Sequence, residues 1–268
     1  MIRKPISSGR RVAPSRRTAL RAALTSLGAV PLAGCDRLSN NEAFVDVLKS
    51  AQHLSHGAQR LVAGRKAMAQ EFAPADVAAH FKANGTLMPA DADYQALLRG
   101  GFRDWKLEVG GLVEAPASFT LAELRAMPSR TQITRHDCVE GWSSIGKWKG
   151  VQLSQLLERV KPLASAKYVV FRCADSMDEP AAGHDSKYYE SVDLDDAYHV
   201  QTVLAYELND QPLPVANGAP LRVRIERQLG YKHAKYVMRI ELVERFDQIR
   251  SGKGGYWEDN GYEWYAGI

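Results

Sequence analysis

Between about residues 100 and 250 short apolar runs switch repeatedly between strand and helical period. Lys106 to Val113 reads as a strand, and Thr120-Leu121-Ala122-Glu123 spells a capping box that opens a helix. Val151 to Val160 sets Leu153, Leu156, Leu157 and Val160 on one helical face, whereas Lys167 to Cys173 is apolar enough for a buried strand. Leu221 to Glu226 and Lys235 to Val243 read as two further strands. Short strands mixed with short helices, with no internal repeat, predict a compact α+β domain. A length of 268 residues, with 45% hydrophobic and 25% charged, fits one large domain or two small ones and excludes collagen, coiled coil and low-complexity disorder.

Upstream of that domain the chain has a different character. Residues 1–34 hold seven basic residues (Arg3, Lys4, Arg10, Arg11, Arg16, Arg17 and Arg21) and no acid. Arg16-Arg17 precedes a weakly apolar stretch that is too short to span a bilayer and closes with Leu32-Ala33-Gly34-Cys35. The twin arginine resembles a Tat export signal and Leu-Ala-Gly-Cys a bacterial lipobox. The expectation is a Tat-type lipoprotein signal over 1–34, export of the folded chain through the Tat translocon, and cleavage before a lipidated Cys35. Asp36 then resembles an inner-membrane retention residue, which predicts a periplasmic protein anchored to the inner membrane. Folded export suits a protein that acquires a complex cofactor in the cytoplasm.

From 35 to 80 an N-terminal helical segment is expected. Phe44, Val47, Leu48, Ala51, Leu54, Ala58 and Leu61 recur at helical spacing behind Asn40 or Asn41 as N-cap, and a second short helix runs from Pro74 towards Phe81. At the other end Tyr256, Trp257, Tyr262, Trp264 and Tyr265 make an aromatic tail that either packs back onto the domain or docks a partner. The polar loop from Asp175 to Lys187 is either functional or mobile.

Charge and cysteine usage narrow the chemistry. Of 35 Lys and Arg, seven lie in the leader, so the remainder carries 28 against 31 acidic residues, too little positive charge to neutralise a phosphate backbone. Nucleic acid is therefore no partner. Cysteines at 35, 138 and 173 are too few for a disulfide framework or a cysteine-rich zinc site. Cys138 lies in Thr134-Arg135-His136-Asp137-Cys138-Val139-Glu140-Gly141-Trp142-Ser143, ahead of Trp148-Lys149-Gly150-Val151. On its own it is a small buried hydrophobe or a reactive thiol. His136 as the base of a cysteine protease is disfavoured, because two residues apart on a strand the side chains point in parallel and no third member follows.

The Cys138 block, then Asn217-Gly218-Ala219-Pro220-Leu221-Arg222, then Gly230-Tyr231-Lys232-His233-Ala234-Lys235, resemble in order and spacing the molybdopterin-binding domain of the sulfite oxidase family. Gly111-Leu112-Val113 with Pro116, and Gly255-Tyr256-Trp257-Glu258 with Gly261-Tyr262, extend the likeness over about residues 80 to 265. The domain is accordingly placed at 81–268. Asn217-Gly218 and the twin arginine make the chain more similar to bacterial periplasmic members, such as the methionine sulfoxide reductase catalytic subunit, than to animal sulfite oxidases, which have His at that position.

The resemblance implies a compact mixed fold and a Mo-molybdopterin cofactor. Cys138 matches the single protein thiolate on the metal, a soft ligand whose pKa a nearby Arg135 would lower. His233, Ala234 and Lys235 match the clamp for the cofactor phosphate, with Arg222 and Lys232 in support and Asn217 bonded to the pterin or its phosphate. Cys173 falls where the bacterial reductase has a threonine near the pterin, and Asn84 matches an upstream asparagine loosely. Arg135, Trp148 and Tyr189 are expected in the wall of the catalytic pocket.

The departures shape the functional expectation. Animal sulfite oxidases carry an arginine five residues after the ligand cysteine to help hold sulfite, and this chain has Ser143. It is also too short for their haem and dimerisation domains. The resemblance implies a periplasmic molybdenum oxidoreductase that transfers an oxygen atom on a small-molecule substrate, by S-oxide or N-oxide reduction or sulfite-like oxidation. A non-catalytic lipoprotein that keeps the fold as a binding or assembly module is the competing class, and an intact Cys138 argues against it. The reaction moves two electrons, and the chain has neither a Cys-x-x-Cys-His haem motif nor cysteines for an iron–sulfur cluster, so a separate haem protein or cytochrome partner is required.

Overall fold

The computed structural model describes residues 66–177 and 186–268, together with 41, 44, 54, 56–58, 61 and 64. The expected signal peptide, Cys35, most of the N-terminal helix and 178–185 of the polar loop lie outside the described residues. The chain divides into two units, 1–55 and 56–268. In the first, Phe44 is helical and its N–H donates to Asn41 Oδ1 at 3.1 Å, the bond an N-cap makes. Among the described residues no helix is long and apolar enough to cross a membrane.

The second unit has two sheets. One runs β2(Ala117–Thr120), β1(Lys106–Gly111), β10(Val237–Val243), β5(Tyr168–Ser176), β6(Lys187–Asp193), antiparallel except where β1 lies parallel to β10. The other runs β3(Ser129–Asp137), β4(Ser143–Gln152), β7(Thr202–Leu208), β8(Gln211–Pro212), and β9(Arg222–Ile225) also pairs with β7. Val169, Phe171, Ile240 and Leu242 of the first sheet and Val151, Leu204 and Val223 of the second share one core. Among the described residues these helices accompany them: α1(Ala92–Arg99), α2(Leu121–Ala126), α3(Leu153–Val160), α4(Leu194–Ala197) and α5(Tyr256–Asp259). In α3 the four expected apolar residues are all fully buried, each worth about 1.5–3 kcal/mol of transfer free energy. The capping box forms at α2: Thr120 N–H donates to Glu123 Oε2 at 2.7 Å and Glu123 N–H to Thr120 Oγ1 at 3.2 Å.

Three expectations are corrected. The helix from Pro74 is a single 3-10 turn, Pro74–Asp76, closed when Asp76 accepts from Ala73 N–H at 3.0 Å. Ala78 N–H then donates to Ile145 O at 2.9 Å, so the chain is tied to β4 instead of continuing helical. Helix α1, capped by Asp91 Oδ1 on Tyr94 N–H at 2.9 Å, was not foreseen. Strand β10 begins at Val237, not Lys235, because Tyr236 takes φ 54°, left-handed backbone that interrupts pairing. That kink leaves residues 230–236 as an irregular connection between β9 and β10.

Candidate active site

Cys138 sits in the loop of the β3–β4 hairpin. Its N–H donates to Trp142 O at 2.9 Å and its carbonyl accepts from Gly141 N–H at 3.0 Å, with Gly141 at φ +83°, a conformation that favours glycine. Strand β3 alternates: Gln132, Thr134 and His136 point inward and Arg135 outward. Burial pushes the Cys138 thiol up, while the Glu140 backbone N–H, Lys82 and Arg222 pull it down. Arg135 was expected in that role, but it faces the other way and pairs with Asp137 at 2.9 Å, its side chain half exposed.

Cys138 lines an open cleft of about 170 Å³. Asn84, Gly85 and Thr86 line it, as do Asp175 and Met177 from the end of β5, Tyr188 of β6, Tyr231, His233 and Lys235 of the irregular connection, and Trp257 and Tyr262 of the tail. The tail thus packs back and forms part of the cleft wall: Trp257 stacks on Tyr262 at 5.2 Å, and Tyr231 Oη donates to Glu263 O.

Lys235 Nζ donates to the carbonyls of Asn84 at 2.6 Å, Thr86 and Ala216 at 3.0 Å, three acceptors that only an ammonium can satisfy at once. Burial and the neighbouring Arg222 press its pKa down to about 7, against the pull of Asp175. Gly218, at φ +113°, lets its backbone lie between Lys235 and Arg222; a Cβ there would meet their Cβ atoms at 2.9 and 3.2 Å. Arg222 is fully buried. Its Nη1 donates to Asn217 O at 3.3 Å, while Nε, Nη2 and the Asn217 amide Nδ2 have no partner. Burial and Arg224 lower its pKa to about 9. Such a set of unmet donors suits an anion with several acceptor oxygens.

His233 Nε2 lies 2.8 Å from Ile225 O and 3.0 Å from Gln228 O, so it carries the proton and leaves Nδ1 as an unpartnered acceptor. Burial and two arginines hold the ring well below the usual histidine range, hence neutral. His136 is held neutral likewise; Arg224 Nη1 donates to its Nδ1 at 3.0 Å. Ala234 is buried beside the cleft, its carbonyl accepting from Val223 N–H at 2.9 Å.

Several expected residues stand elsewhere. Lys232 is fully buried between the carboxylates of Glu190 and Glu258, each at 2.5 Å, so its charge is already matched within the fold. Trp148 packs on Phe81, Leu208 and Leu213 in a small core and supports Arg222 and Arg224 at 5.4 and 4.4 Å; it is a platform, not a pocket wall. Tyr189 is also core: its hydroxyl donates to Asp259 Oδ2 at 2.6 Å, and its neighbour Tyr188 is the one that faces the cleft. Cys173 lines a separate cavity with Arg172, Lys187 and Tyr188. Asn84 does line the cleft, its Oδ1 without a partner. The sequence reading missed Asp175, Tyr188 and the Trp257–Tyr262 wall. The signals for them were indirect: the aromatic tail with its Gly255–Glu258 and Gly261–Tyr262 blocks for the wall, and the polar loop that starts at Asp175.

A family model described as oxidoreductase molybdopterin binding domain matches residues 96–249. A putative protein-methionine-sulfoxide reductase subunit YedZ1 of Azospira oryzae is 34% identical over 254 residues, covering 95% of this chain and 88% of that protein. The protein-methionine-sulfoxide reductase catalytic subunit MsrP of Xanthomonas axonopodis pv. citri is 40% identical over 149 residues, 54% of this chain and 46% of the relative, so the match spans about half of that protein. The crystal structure of the sulfane dehydrogenase SoxCD from Paracoccus pantotrophus superposes with TM-score 0.47 at 22% identity, over 53% of this chain and 39% of that one. The chain belongs to the oxidoreductase molybdopterin binding domain family, the sulfite oxidase type of mixed α+β fold.

Proposed function

We propose that this protein is a periplasmic Mo-molybdopterin oxidoreductase that reduces an S-oxide by oxygen-atom transfer. The observation that carries the reading is that the cleft lined by Cys138 is also lined by Lys235, with the unpartnered donors of Arg222 one glycine away. The residues fit the cofactor on two counts. Arg222 and Asn217 supply donors and Lys235 supplies charge for the phosphate, and Cys138 supplies a soft thiolate. Among the described residues no three His, Cys, Asp or Glu side chains are grouped to hold a metal, so a metal at Cys138 would draw its other ligands from a bound group. When bound, the cofactor supplies two-electron oxygen-atom transfer.

The chain's own contribution is holding and enclosing. The hairpin fixes Cys138, and Arg222 with Asn217 fixes the anionic end of the cofactor. Trp257, Tyr262, Val139 and Met177 give the cleft an apolar side that accepts the carbon substituents of an S-oxide and limits water. Ser143, where animal sulfite oxidases carry an arginine, donates its hydroxyl to Asp137 outside the cleft lining. The apolar side of the cleft suits an uncharged S-oxide better than a sulfite dianion. The names of the two methionine-sulfoxide-reductase relatives point the same way.

Converting an S-oxide to a thioether and water consumes two electrons and two protons. The electrons come from a separate haem or cytochrome partner. Export by the Tat translocon and a lipid on Cys35 place the protein on the periplasmic side of the inner membrane, where tethering raises its effective concentration near a membrane partner. The test is expression in a molybdopterin-competent host, followed by a dye-linked screen of S-oxides, N-oxides and sulfite. S-oxide turnover without sulfite oxidation is expected; molybdenum-loaded protein inert towards all three would favour a binding module. Release of Cys35→Ser from the membrane fraction tests the anchor.

A further inference from the structure

Glu190, Lys232 and Glu258 are each fully buried, and together they set two carboxyl groups against one ammonium. Lys232 Nζ donates to Oε1 of both at 2.5 Å. Glu190 Oε1 also accepts from Ser191 N–H at 2.8 Å, whereas Glu190 Oε2 and Glu258 Oε2 find no donor among the described residues. The two carboxyls converge at Gly255. A Cβ there would stand 2.0 Å from Glu258 Oε2 and 2.7 Å from Glu190 Oε1, so the position has room only for glycine. Two ionised carboxylates this close, with one cation between them, would bury a net negative charge. In that arrangement one member of a pair keeps its proton.

The cluster joins three segments that each give the cleft a residue: Tyr188 of β6, Tyr231 and His233 on either side of Lys232, and Trp257 beside Glu258 in α5. We infer that the two carboxyl groups share one proton, and that this clasp of ammonium, carboxylate and acid positions the aromatic wall of the cleft by fastening the tail to β6 and to the 230–236 connection. Burial and Glu258 raise Glu190 well above the usual carboxylate range, against the pull of Lys232. The surrounding groups do not take up the charge. Burial holds Tyr188, Tyr189, Tyr231 and Cys173 protonated, and the Lys232 ammonium also faces the rings of Tyr231 and Trp264 at 5.8 and 5.4 Å. Asp259 and Arg250 face Tyr189, while Asp175 and Glu263 act on Tyr188 and Tyr231. Because the folded value lies above the ordinary 4.5, the folded chain binds one proton more than the unfolded chain once the pH passes 4.5. The clasp's contribution to stability therefore falls as pH rises, until the shared proton leaves.

The shared proton stands independently of the functional reading, whereas its effect on substrate rests on that reading. The full chain is prepared with cofactor from a molybdopterin-competent host and without it from a pterin-deficient host. Infrared spectra of the cofactor-free parent at about pH 8, above the Asp175 value of about 6, should show the carbonyl band of a protonated carboxylic acid. The band should shift in deuterium oxide and be absent from Glu190→Gln and from Glu258→Gln. In each single variant an amide donates where the proton stood, so both should melt close to the parent at neutral pH and lose the one-proton fall in stability as pH rises. The double variant strands Lys232 and should melt about 10 °C lower. In the loaded enzyme Glu258→Ala should raise KM for an S-oxide severalfold with kcat near the parent's, and Glu258→Gln should restore it. A parent without the acid band, or single variants whose pH profiles run parallel to the parent's, overturns the shared proton. If the amide variants do not fold, the parent's band decides. Parent-like KM in Glu258→Ala overturns the positioning role, whereas a loaded enzyme that shows the band but is inert towards S-oxides overturns the functional reading alone.

Discussion

Arg222 and Arg224 stand two residues apart on β9, are both fully buried, and both lie against Trp148. Arg224 is completed by the protein. It makes bonds of 2.9 and 2.7 Å to Glu226 and one of 3.0 Å to His136, and Glu226 also accepts from Gln132 at 2.8 Å. Arg222 has one long bond to a carbonyl, two nitrogens without a partner and a second cation, Lys235, close by. Two residues of the same type in nearly the same setting thus differ in whether the fold supplies a counter-charge. The same split recurs in the 230–236 connection, where Lys232 is ion-paired with Glu190 and Glu258 while Lys235 lines the cleft, its ammonium bonded to three carbonyls and Asp175 near it without an ion pair. Buried charge that the chain neutralises holds the fold together; buried charge that it leaves bare is kept for a ligand.

The largest effect expected on the unmatched side is at Cys138. Cys138→Ser should reduce dye-linked turnover to background while pterin content stays close to the parent's, because the phosphate donors are untouched. Near-normal turnover in the serine variant would remove Cys138 from the metal. The arginine pair gives the next contrast. Arg224→Met leaves Glu226 buried without its cation and should cost about 3–5 kcal/mol in denaturant unfolding of the cofactor-free protein. Arg222→Met should leave that stability unchanged or raise it, yet weaken cofactor binding by about 1.5–3 kcal/mol, tenfold or more. Equal destabilisation by both would erase the distinction.

The smallest effect is a pH dependence. Lys235 titrates at about 7 in the fold and at its ordinary value of 10.5 when unfolded, so between those values the unfolded chain binds more protons. Stability of the cofactor-free protein should therefore gain a rising contribution from pH 7 to about 9, and Lys235→Met should flatten it. A parent and variant with parallel pH profiles would show that Lys235 is not held low.

Much of the fold was readable because local rules decided it: the Thr120–Glu123 box and the one-sided apolar face of α3 need no tertiary information. The helix expected after Pro74 failed because bonds from Phe72 and Ala78 to β3 and β4 outcompete a short helix with no buried face of its own. At the site, Cys138 and Lys235 were legible as members of ordered motifs. Arg135 was misplaced although strand alternation puts it opposite His136, and Tyr189 was chosen where its neighbour Tyr188 faces the cleft, a one-residue shift that exchanges faces. Lys232 could not be sorted from Lys235 because its partners, Glu190 and Glu258, come from distant segments. Asp175 was marked in the sequence only as the start of a polar loop read as functional or mobile, and its burial beside the cleft comes from tertiary packing.

The cleft beside Cys138, with Arg222 left bare, is proposed to hold one molybdopterin. The direct measurement is molybdenum and pterin quantification on protein purified from a molybdopterin-competent host. Equimolar metal, pterin and chain in the parent, with pterin sharply reduced in Arg222→Met and retained in Cys138→Ser, is the predicted result. Folded parent protein free of both molybdenum and pterin would contradict it.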